Sequence, residues 1–126
     1  GRPAGDDPVE VEPGDTCARC GMVISDMRHV GEIIGDRDVW KFDDVGELFI
    51  YRQEQGLSDG DVRATYVKGY DTGQWVEAGS HYVVAPDVAT PMGTHVLALA
   101  EEDSVGAYTV SESARERTYE ELLADP

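Results

Sequence analysis

Short apolar runs cut off by turn residues govern what this chain can fold into. Val30 to Ile34 and Val39 to Phe42 are two such runs, partly β-branched, with Gly35-Asp36-Arg37-Asp38 between them. Strand-like segments joined through a Gly- and Asp-rich connection predict a β-hairpin. Asp44 then opens a predicted helix: Glu47 completes a capping-box pattern, and Val45, Leu48 and Phe49 fall on one face. Gly56 supplies the stop, because glycine enters the left-handed conformation that ends helices without steric cost. Val62 to Tyr70 alternates as a strand should, and Asp71-Thr72-Gly73 turns the chain.

The second half repeats this order. His81 to Ala85 and His95 to Ala100 are predicted strands around turns at Pro86 and Thr90-Pro91-Met92-Gly93. A helix is expected from Asp103 to Ser111, a short strand near Arg117 to Tyr119, and a last helical turn from Glu120 to Ala124. The expected fold is therefore α+β: two small ββαβ-type units, residues 15–70 and 71–126, related by an internal duplication. Neither unit holds enough apolar residues to stand alone, so the two are expected to pack together. Residues 1–14, rich in Gly, Pro, Asp and Glu, read as a flexible tether.

Charge excludes one large class of function. Ten Lys and Arg against 26 Asp and Glu give a net charge of −16. Such a surface repels nucleic acid, whose binding requires cations that neutralise phosphates. Lys41 and Lys68 are the only lysines, and an acid-rich, lysine-poor surface suits a salt-loving source. The acids are scattered and form no calcium-loop pattern. Phosphate-binding glycine loops and the G-x-S-x-G nucleophile motif are also missing.

The densest chemistry lies in Cys17-Ala18-Arg19-Cys20-Gly21-Met22. A structural zinc site needs four N or S ligands, and this chain offers one cysteine pair with dispersed histidines His29, His81 and His95. Zinc held by Cys17, Cys20 and two of those histidines stays open. A thioredoxin-like site wants a strand before the cysteines and a long helix after them; here a polar lead and a hairpin stand in those places. A Cys17–Cys20 disulfide closes too small a loop to constrain the unfolded chain much. Copper(I) fits better, since it prefers thiolate and thioether and accepts few ligands. Met22 follows Cys20 across Gly21, and an extended backbone there would put both side chains on one side. Met92 sits in a Pro-Met-Gly turn, where a thioether has no packing duty. Cys20, Met22 and Met92 are thus the candidate ligands, with Cys17, Met27 and His29 as secondary candidates.

These motifs resemble the NosL family, accessory lipoproteins of nitrous oxide reductase maturation. The resemblance rests on Cys17-x-x-Cys20-Gly21-Met22, Phe42-Asp43-Asp44-Val45-Gly46-Glu47-Leu48-Phe49, Tyr66-Val67-Lys68 with Thr72-Gly73-Gln74-Trp75-Val76-Glu77-Ala78, and Thr90-Pro91-Met92-Gly93. It implies a copper(I) chaperone, not an enzyme, held outside the cytoplasmic membrane by an N-terminal lipid that this chain lacks. Nitrous oxide reductase and a membrane transporter complex would be its partners. It also implies a paired ββαβ fold similar to the organomercurial lyase MerB, with Cys20, Met22 and Met92 as ligands. Many relatives carry Asp-His after Cys-Gly-Met; here Asp26 precedes Met27, and His29 follows later. The rival readings are a MerB-like metal and thiol enzyme using Cys17, Cys20 and Asp26, and a small interaction module with a structural zinc knuckle.

Overall fold

The computed structural model describes residues 7–126. β1 (Gly31–Ile34) and β2 (Val39–Phe42) form the expected antiparallel hairpin, with Ile33 opposite Trp40. α1 (Val45–Gln55) follows, capped by Asp44 and ended by Gly56 at φ 63°. Glu47 does not close the expected capping box. Its carboxylate instead takes Arg19 at 2.5 Å, a guanidinium being a stronger partner for a buried carboxylate than a backbone amide.

β3 (Ala64–Lys68) pairs with β1, and β4 (Trp75–Glu77) pairs with β3, which completes a four-stranded sheet ordered β2-β1-β3-β4. β5 (His81–Val84), β6 (Val96–Leu99) and β7 (Arg115–Arg117) make a three-stranded sheet ordered β6-β5-β7. The connection from β6 to β7 carries α2 (Val105–Tyr108), and α3 (Tyr119–Ala124) follows β7. β2-β1-β3 with α1 and β6-β5-β7 with α2 are thus the same arrangement met twice, in an α+β fold of two small antiparallel sheets. β4 has no counterpart and belongs to the first sheet. α2 is shorter than its predicted span: the Thr109 hydroxyl donates to the Val105 carbonyl at 2.9 Å and the helix stops.

α1 packs against β1, β2, β6 and α3, and so lies against strands of both sheets. Ile33, Phe42, Leu48, Phe49 and Val67 meet Tyr82, Val96, Ala98 and Leu122 in one core. Each large apolar side chain buried there stabilises the fold by about 2 kcal/mol. A smaller cluster of Val83, Ala85, Leu97 and Leu99 is covered by Tyr70, Val105 and Tyr108. Gly31 permits the close approach of α1 to β1, because a Cβ there would come within 2.8 Å of Leu48 Cδ1.

Of the stretch expected to be a tether, residues 1–6 lie outside the described residues. From Val9 onward the chain is laid on the first sheet. The Val9 N–H donates to Glu32 Oε1 at 2.6 Å, and Lys41 Nζ donates to the Glu10 carbonyl at 2.9 Å. Among the described residues, no helix is long and apolar enough to cross a membrane.

Candidate metal centre

The first loop is built from its own backbone. Thr16 bridges Val23, the Cys17 N–H donates to the Met22 carbonyl at 2.8 Å, and the Gly21 N–H returns to the Cys17 carbonyl at 3.0 Å. Gly21 stands at φ 77°, so the segment is a tight knuckle and not the extended run expected from the sequence. Glycine is needed there because a Cβ in the left-handed region crowds the following carbonyl. The Ala18 N–H fastens the knuckle to β2 through the Lys41 carbonyl at 2.8 Å. Cys17 is buried in the main core, whereas Cys20 is half-buried.

Beside the knuckle lies the N-terminus of α1. The Cys20 thiol donates to Asp43 Oδ2 at 3.6 Å. Cys17, Cys20, Asp43 and Glu47 each offer a ligand atom, all within 4.8 Å of one another. Burial pushes the Cys20 thiol up to about 11; the Met22 backbone N–H opposes that shift, while Cys17 and Asp43 add to it. A soft cation reaching this sulfur would displace the proton and replace it with a strong bond.

The second loop is held by side chains. Asp44 accepts from the Gly46 N–H at 3.0 Å and from the Thr94 hydroxyl through Oδ1, and from the Met92 N–H at 2.9 Å through Oδ2. The helix cap therefore also clasps the Thr90-Pro91-Met92-Gly93 turn. Thr94 approaches so closely that a Cβ on Gly46 would overlap its side chain. The turn closes through the Gly93 N–H and the Thr90 carbonyl at 3.1 Å, with Gly93 at φ 72°. His95 braces the far side: its N–H donates to Thr90 Oγ1 at 3.0 Å, and its ring Nδ1 lies 2.8 Å from the Val88 carbonyl. A groove of about 340 Å³ separates the loops, lined by Val23, Ser25 and Asp26 from the first, Ala89, Thr90 and Pro91 from the second, and Asp43.

The sequence matches the NosL family over residues 8–125. The chain belongs to the NosL family. Its fold is similar to the crystal structure of the copper chaperone NosL from Shewanella denitrificans, with a TM-score of 0.76 and 16% identity over 92% of this chain and 95% of that one. No curated protein matches the sequence.

Against that family background, the candidate ligands separate by position. Met22, at 59% exposure, and Met92, at 41%, stand at the surface on the two loops. Met27 is also exposed, on a 3₁₀ turn (Met27–His29) that Asp26 caps. His29 goes inward, 5.2 Å from the Tyr70 ring, and burial holds its pKa below the usual histidine value. Cys17 and Cys20 converge with two carboxylates, Asp43 and Glu47, which sequence reasoning had not singled out as part of the site. The doubled acid at the strand–helix junction, Asp43-Asp44, was the available signal. Asp26, the proton donor of the MerB-like reading, stays outside that cluster and lines the groove.

Proposed function

We propose that this NosL-family chain carries a single copper(I) ion at its loop end and hands it to another protein without catalysing a reaction. Cys20 supplies the thiolate, and Met22 and Met92 supply thioethers, with Cys17 sharing the ion or assisting its transfer and exposed Met27, rather than inward-facing His29, as the remaining ligand. The observation that carries this reading is the seating of the Met92 turn on Asp44, at the end of α1 where the thiol of Cys20 in the first loop touches Asp43. Exposed methionines support it as well, since a thioether left in water gains nothing from packing. Copper(I) favours such soft donors and tolerates low coordination, which lets an acceptor's ligands enter before the old ones leave. The crystal structure with the same fold is that of a copper chaperone, and its family name points the same way. The destination we propose is nitrous oxide reductase, reached with a membrane transporter complex. The place of action is outside the cytoplasmic membrane, with a lipid anchor ahead of this chain.

Anaerobic titration of copper(I) against a competing chromogenic chelator tests the site. The parent should bind a single ion. Cys20→Ser, Met22→Ala and Met92→Ala should each weaken binding by about tenfold or more, equivalent to about 1.4 kcal/mol. Parent-like affinity in Met92→Ala would remove the two-loop site.

A zinc reading draws on the convergence of Cys17, Cys20, Asp43 and Glu47. Against it, Glu47 is already neutralised by Arg19. Elemental analysis of freshly isolated protein separates the two: firmly held zinc, with unfolding on chelation, would favour the structural site.

A further inference from the structure

Three buried carboxylates gather where β2 runs into α1, and they are not equally satisfied. Glu47 has Arg19 on Oε2 although its Oε1 lacks a partner, and Asp44 accepts from Gly46, Met92 and Thr94. Asp43 is only 4% exposed, and among the described residues its Oδ1 has no hydrogen-bond partner and its Oδ2 has only the Cys20 thiol. A thiol is a weak donor, and Asp43 forms no ion pair among the described residues. A buried carboxylate short of donors is costly unless a cation reaches it. Asp43 lines the groove between the loops, and half-exposed Asp26 adds a second negative charge to the same walls.

The chain has few cations to spare for this place, with a net charge of −16. A cation supplied by another molecule would complement it. A guanidinium suits the groove better than an ammonium, since its planar fork can bridge a carboxylate and its faces are weakly hydrated. Val23 and Pro91, exposed on opposite loops, offer apolar surface for the methylene stem of such a side chain.

We propose that the groove between the two loops is the docking socket for an arginine side chain of the copper-receiving protein, with Asp43 as its anchor and Asp26 as its second contact. The proposal rests on the copper-carrier reading for the identity of the partner. Because Asp43 touches Cys20, a guanidinium seated there brings the partner's backbone to the edge of the metal centre. Docking and alignment for ligand exchange thereby become one event.

The test uses the metal-free chain, so that it does not depend on copper binding. Amide NMR spectra are followed while N-acetyl-arginine methylamide, or its neutral isostere N-acetyl-citrulline methylamide, is added at about 0.15 M salt. Saturable shifts confined to Ser25, Asp26, Asp43 and Ala89 are expected, with binding about tenfold or more tighter for the arginine compound. Asp43→Asn should abolish them. Ala89→Lys, which puts an ammonium into the groove from an exposed position, should do the same without altering the buried cluster, and decides the matter if Asp43→Asn does not fold. Equal binding of the two compounds, shifts spread over acids elsewhere on the surface, or unchanged binding to Ala89→Lys would overturn the socket. Loss of copper binding with the arginine response intact would instead sink the carrier reading alone.

Discussion

The two loops that flank the groove hold their shape by different means. The Cys17–Met22 knuckle is closed by backbone bonds and by Gly21, with Cys17 anchored in the core. Its side chains at Cys20 and Met22 can therefore change without the loop losing its course. The Thr90–Gly93 turn has its own Gly93 bond, but its position against the first loop depends on one carboxylate, Asp44, and on Thr94 packing over Gly46. One loop is preorganised locally. The other is placed from a distance, so its position is the more fragile of the two.

That difference sets the order of expected effects. Asp44→Ala removes a helix cap and leaves the Met92 N–H and the Thr94 hydroxyl without their acceptor, so a loss of about 3 kcal/mol is expected in chemical denaturation. The same variant should weaken copper(I) binding through Met92 while Cys20 remains available; equal copper affinity would break the comparison. Gly46→Ala comes next, since the added methyl collides with Thr94, at a cost of about 2 kcal/mol. Amide shifts should then concentrate in residues 90–95 and spare the knuckle. Gly21→Ala meets no neighbour within 4 Å, so only the left-handed backbone resists it, by about 1 kcal/mol. Its effect should appear in the knuckle and leave the second loop unmoved.

A separate, pH-dependent effect concerns β1, on which the segment leading into the first loop is laid. Glu32 is fully buried on β1 beneath residues 9 and 10, and burial lifts its carboxyl from the ordinary 4.5 to about 7, against the pull of the Val9 N–H and Lys41. Between those two values the folded protein keeps a proton that the unfolded chain has lost. Stability should therefore fall as pH rises from about 4.5 to about 7, and level off above. Thermal unfolding across that range should show the slope in the parent and a flatter profile in Glu32→Gln.

Much of the scaffold was legible because its signals are local. The Gly35–Asp38 turn, the Asp44 cap and the Gly56 stop each act on neighbours in sequence, and the hairpin and α1 follow where those residues place them. α2 was overestimated because apolar content carried past Thr109, whose hydroxyl turns back on the helix. β4 escaped notice because Trp75–Glu77 is too short to show a period and gains its identity only by pairing with β3. At the metal centre, sulfur chemistry was readable from Cys20, Met22 and Met92 as residue types. The seating of the Met92 turn on Asp44 was not, because no spacing rule ties residue 92 to residue 44. Asp44 looked like an ordinary cap, and its second task as a clasp exists only in three dimensions. Glu47 likewise read as half of a capping box until Arg19 competed for it.

The siting of α1 carries one more consequence. Its first turn seats both loops while its sides touch strands of both sheets, so cargo held there would work as a fastener for the whole molecule. Ligand that binds only the folded state withdraws molecules from unfolding in proportion to its concentration over its dissociation constant. Full carriers would then outlast empty ones wherever proteases patrol, and turnover itself would sort the population by what it holds.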